Sequence, residues 1–116
     1  MEDAKMMRLR EIGKNTIAEA LGMELTEIGD GQVMGKLPVD SRTHQPYGLL
    51  HGGASVVLAE TLGSVGSHFL VDGTGKGAVG IEVNANHVKG VREGWVHGHA
   101  TLVHRGGKLH IWSIDI

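Results

Sequence analysis

The chain has 116 residues, with 11 Lys and Arg against 13 Asp and Glu for a formal charge of −2, and no Cys. That length suits one domain around one core, and near-neutral charge excludes a protein built mainly to bind nucleic acid, which needs a dense basic face. The lack of Cys excludes disulfides, thiolate metal sites and a cysteine nucleophile. The first eight residues carry no apolar h-region, so no secretory signal is expected. No apolar run is expected to reach the roughly 20 residues that span a bilayer. The expectation is therefore a cytoplasmic single domain covering 1–116. Nineteen glycines and 3% aromatics imply an aliphatic core and glycines with positional reasons.

Residues 1–14 are charged and weakly patterned, as in a frayed helix or an arm. Thr16-Ile17-Ala18-Glu19 has capping-box spacing, and Gly22 is a stop signal. Met23 to Ile28 reads as a strand, and Gly29-Asp30-Gly31 as a turn. Val33, Gly35, Leu37 and Val39 alternate with polar or flexible neighbours, which predicts a strand with one buried face; Pro38 marks its end or a sheet edge. Asp40 to Leu50 is a loop that turns apolar before His51-Gly52-Gly53.

Ala54 to Val71 predicts the one long helix. Leu58, Leu62, Val65 and Phe69 share a face, and further apolar groups elsewhere predict burial nearly all round. Glu60, Ser64 and Ser67 form a narrow polar stripe, while Gly63 and Gly66 thin the helix for a close neighbour. After a glycine-rich loop, Val79, Ile81, Val83 and Ala85 alternate as a strand would. Val96 to Leu102 and Leu109 to Ile116 predict two more strands around the Arg105-Gly106-Gly107-Lys108 hairpin. One helix cannot cover both faces of a sheet, so the pattern predicts an α+β domain with an antiparallel sheet wrapped around a central helix.

Three segments carry a family resemblance: Pro38 to Thr43, Gln45 to Glu60 through His51-Gly52-Gly53, and Gly80 to Val88. They resemble the hotdog-fold acyl-CoA thioesterases, in the subgroup of dihydroxynaphthoyl-CoA and enterobactin-proofreading thioesterases, from about Leu21 to Ile116. The resemblance implies a curled antiparallel sheet around one helix. It also implies a homodimer, or a homotetramer, with active sites shared across the dimer interface. Members of this family continue past the position of Ile116 with another turn and strand, so weak thermal stability is expected of this chain.

For thioester hydrolysis a carbonyl must be polarised and a nucleophile activated. A glycine-started helix offers free N–H groups and the positive end of a dipole, which points to the Gly52 amide, with Gly53 leaving room for the acyl group. Both glycines could equally serve only as a tight turn. Glu60 is the expected nucleophile or general base, set roughly 10 Å along the helix from its start; the plainer reading is an exposed or ion-paired helix Glu. In the resembling enzymes the positions of Gln45 and His51 orient the thioester and the attacking water, although His51 could be structural. Ser64, one turn from Glu60, could orient that carboxylate or bond the carbonyl four residues back.

CoA phosphates call for a basic rim, and the resemblance assigns it to His87, Lys89, Arg92, His104 and Lys108; the alternative is solvated surface charge. No cofactor is expected, since CoA belongs to the substrate. His97 and His99 point to one side of a strand but lack a third ligand at a telling spacing, so no metal is expected. The expected substrate is an aryl- or hydroxyaryl-CoA thioester, or a carrier-bound acyl thioester. The alternatives are a hotdog hydratase or dehydratase, and a non-catalytic acyl-CoA-binding module. The dehydratase pattern uses a His and an acid at a different spacing, usually near a Pro-Gly helix start, whereas here His51 and Glu60 are nine apart.

Overall fold

A computed structural model describes residues 2–116. Seven elements follow in order: α1 (Glu2–Ile12), α2 (Ile17–Ala20), β1 (Glu24–Gly29), β2 (Gln32–Val39), α3 (Gly52–Val71), β3 (Gly94–Arg105) and β4 (His110–Asp115). The strands form one antiparallel sheet in the order β1-β2-β3-β4, and α3 packs across its inner face. The expected α+β architecture is present.

The core follows from the alternation in β2. Val33 and Leu37 are fully buried, and they meet Leu58 and Leu62 from α3 and Ala100 from β3. Gly35 and Gly98 are register partners across β2 and β3. A Cβ on either would crowd Leu62, at 2.9 Å and 2.7 Å. This glycine pair cuts a notch in the sheet that lets the helix sit close. Pro38 falls in the last two residues of β2, past Lys36, where pairing with β1 ends. Its missing N–H therefore costs no ladder bond on that side.

Several expectations change. Residues 2–12 form a docked helix rather than a frayed arm. Met6 and Leu9 are buried in the core cluster, and Asp72 beyond α3 accepts from Arg8 at 2.9 Å and lies 3.6 Å from Lys5. The capping box at Thr16 is not made: Glu19 accepts from the N–H of Asn15, one residue before the cap, and the Thr16 hydroxyl donates to the Gly13 carbonyl. Helix α3 is not buried all round, since Glu60 and His68 are exposed. By length and composition α3 could cross a membrane, contrary to expectation; its packing against the sheet makes it a core helix. Residues 79–85 form no strand. None of the described strands pairs with this stretch, and Val79, Ile81 and Val88 are 88%, 77% and 93% exposed.

Candidate active site

The turn after β2 sets the first wall of the site. Asp40 Oδ1 accepts from the Arg42 backbone N–H at 2.9 Å and Nε at 3.1 Å, and Oδ2 accepts from Nη2 at 2.7 Å. The side-chain bond from Arg42, then the backbone bond, hold the Asp40 carboxyl down at about 2, below its ordinary 3.8. The buried Thr43 hydroxyl donates to the Pro38 carbonyl at 2.7 Å. This turn launches a loop whose ends are tied together: His51 N–H donates to the Thr43 carbonyl at 2.8 Å, and His44 bridges to Leu50. Inside the loop, Gln45 Oε1 accepts from the N–H groups of Tyr47 at 2.5 Å and Leu49 at 3.3 Å. The oxygen is occupied, so the Gln45 side chain has its two N–H donors left to offer a ligand.

The loop delivers His51 as the N-cap of α3, with φ −69° and ψ 131°. Its Nδ1 accepts from the Gly53 N–H at 2.7 Å. An accepting Nδ1 is unprotonated, so the neutral ring carries its proton on Nε2, free to donate. The N–H groups of Ala54 and Ser55 both take the His51 carbonyl, at 3.0 Å and 3.3 Å. Of the first four helix amides, only that of Gly52 has no acceptor among the described residues.

Glu60 is the only carboxylate within α3. It is exposed and has no ion pair or hydrogen-bond partner among the described residues. Ser64, half-buried one turn on, likewise has no partner. Glu60 lies eight positions beyond Gly52, about 12 Å of helical rise. That is further than a glutamate side chain extends, so these two groups of one chain cannot meet over one carbonyl.

Residues 78–93 cross this half of the helix as a strap. Gly80 lies against the Glu60 carboxylate, and the His87 ring lies against Gly52, where an added Cβ would come within 3.1 Å of Nε2. Further on, Leu50 N–H donates to the Val91 carbonyl at 2.8 Å and His44 Nε2 donates to the Arg92 carbonyl at 2.9 Å. The expected basic rim is not gathered in one place. Lys89 and Arg92 precede β3, whereas His104 and Lys108 lie at its far end, roughly 35 Å of strand away. On the outer face of β3, His99 Nε2 donates to Gln32 Oε1 at 3.1 Å. No group of three or more potential metal ligands is found among the described residues.

The sequence reading missed two features. One is the contact of Gly80 with Glu60; a glycine facing the same way as Glu82 and Asn84 in an alternating run was the available signal. The other is a cluster behind the site. Trp112 Nε1 donates to the buried Ser67 hydroxyl at 2.9 Å, and Ser67 Oγ lies 2.7 Å from His110 Nδ1. Trp112 is the close neighbour for which Gly63 and Gly66 make room.

An antiparallel sheet packed on one long helix is the hotdog fold, which the chain shares with solved thioesterases. A family profile described as Thioesterase superfamily matches residues 47–116, and the chain belongs to that superfamily of thioester hydrolases. It is 46% identical over 108 residues to the 1,4-dihydroxy-2-naphthoyl-CoA hydrolase of Escherichia coli K12, covering 93% of this chain and 79% of that protein. It is also 46% identical over 101 residues to the proofreading thioesterase EntH of Cronobacter turicensis, covering 87% and 73%. The crystal structure of a mutant thioesterase PA1618 from Pseudomonas aeruginosa superposes with a TM-score of 0.90 at 48% identity, covering 94% of this chain and 78% of that one.

Proposed function

We propose that this chain hydrolyses an aryl- or hydroxyaryl-CoA thioester, or a carrier-bound equivalent, to the free acid and the thiol. One observation carries the reading: the Gly52 amide is unclaimed at the head of a helix whose single carboxylate, Glu60, is also unclaimed. The Gly52 N–H takes the thioester oxygen, aided by the helix dipole, and stabilises the charge that develops there. His51 Nε2–H and the free Gln45 amide add neutral donors around the same oxygen, and Gly53 leaves space for the acyl group. Glu60 attacks the carbonyl carbon or takes a proton from the attacking water. Ser64 orients that carboxylate or the water. The carbon–sulfur bond breaks, the thiolate leaves with a proton, and water supplies the acid's new oxygen.

Because Glu60 and Gly52 of one chain are too far apart, the reading requires a homodimer, in which Glu60 of one protomer faces Gly52 of its partner. The separation of Lys89 and Arg92 from His104 and Lys108 supports the same arrangement, since groups from two chains could then share one CoA. His87, beside Gly52, meets the pantetheine end rather than the nucleotide. No cofactor is required, and a cysteine-free enzyme acting on a CoA ester suits the cytoplasm.

The test is a panel of acyl-CoA esters assayed with a thiol-trapping dye, run with the wild type and Glu60→Gln. The expected outcome is CoA release with at least one aryl ester and a loss of about 10²- to 10⁴-fold in kcat for the variant. Release by the variant at the wild-type rate rejects Glu60. No release by either protein favours the binding module.

A further inference from the structure

We propose that Gly80 is a positioning residue for Glu60: its missing side chain is the seat in which the carboxylate rests. The inference builds on the reading of Glu60 as the reacting acid. A Cβ at Gly80 would overlap Glu60 Oε2, come within 2.9 Å of Cδ and reach 3.4 Å from Oε1. The three atoms nearest that point all belong to the Glu60 carboxylate.

The glycine is not there for its backbone. Gly80 is absent from the residues with positive φ, unlike Gly73 and Gly75 in the loop before it. An L-residue could therefore adopt its conformation without strain. Gly80 is exposed, like the flanking Val79 and Ile81, and it meets α3 at the Glu60 carboxylate. The strap is tied down beyond it by the bonds of Val91 and Arg92 to the loop that carries Gln45. One segment thus bears on Glu60 at Gly80 and on the carbonyl-polarising loop at its other end. A side chain at Gly80 would push the carboxylate aside while leaving the helix, the loop and the Gly52 amide in place. Misplacing a reacting group by about 1 Å costs on the order of 100-fold in rate.

The experiment is a double-mutant cycle with benzoyl-CoA as probe, using the full chain. Gly80→Ala is expected to lower kcat by about 10- to 100-fold, with KM unchanged within about twofold and no change in circular dichroism. Gly77→Ala, where an added Cβ meets nothing within 4 Å, is expected to keep the wild-type kcat. Adding Gly80→Ala to Glu60→Ala is expected to cost nothing further, since the group being positioned is gone. Wild-type kcat in Gly80→Ala, or a full additional loss in the double variant, overturns the proposal. Wild-type kcat in Glu60→Ala instead overturns the assignment of Glu60. Should Gly80→Ala fold poorly, Glu60→Asp/Gly80→Ala, with an acid one methylene shorter, is expected to recover the melting temperature; no recovery also overturns it.

Discussion

Gly52 occupies the first helical position of α3, directly after the N-cap His51. That position tolerates proline, whose fixed φ suits a helix start and whose missing N–H breaks no intrahelical bond. His51, with ψ 131°, already has the extended conformation required before proline. Gly52→Pro therefore deletes the unclaimed amide with little cost to the helix; its ring also crowds His87, and Gly52→Ala, which adds the same Cβ but keeps the N–H, is the control. The expected result is a fall of about 10²- to 10³-fold in kcat, as for the loss of one oxyanion donor. Unchanged kcat beside an unchanged melting temperature would remove the amide from the mechanism. At this scale the candidate residues could be read from sequence because their motif is contiguous. Their electronic state could not. The tautomer of His51 depends on its bond to Gly53, and the free donors of Gln45 depend on which loop amides its oxygen has taken.

At the scale of elements, α3 is held to β4 by the Ser67, His110 and Trp112 cluster. The indole can only donate, so Ser67 Oγ accepts from Trp112, and it shares a second hydrogen bond with His110 Nδ1. Ser67→Ala leaves a half-buried indole N–H without its partner. The expected destabilisation is about 1–3 kcal/mol, read by urea denaturation followed through Trp fluorescence, with kcat unchanged at low denaturant. Stability equal to wild type would show that water replaces the hydroxyl without loss. The elements themselves were readable where their information is local. The alternation in β2, the period of α3 and the Gly-Gly turn between β3 and β4 each lie within one short window. The failures share a cause: residues 79–85 alternate as a strand should, but a strand exists only with a neighbour to pair with. The helical order of residues 2–12 likewise depends on a core that the segment does not contain.

At the scale of the whole molecule, the 12 Å between Gly52 and Glu60 along α3 becomes a statement about assembly. If one protomer's Glu60 serves its partner's Gly52, then Glu60→Ala and Gly52→Pro damage different halves of the same site. Each pure variant is inactive at both sites of its dimer. Mixing the two and allowing subunits to exchange forms mixed dimers. In each of these, one site inherits both lesions, and the other combines an intact Glu60 with an intact Gly52. With random exchange, half of the dimers are mixed and half of their sites work, so activity is expected to recover to about 25% of wild type. Exchange is followed independently by tagging one variant and isolating tagged–untagged pairs. A site confined to one chain predicts no recovery at any mixing ratio, because no protomer then carries both groups. Mixed dimers that form and remain inactive would exclude the shared site, while leaving the roles of Glu60 and Gly52 to be judged from their single variants.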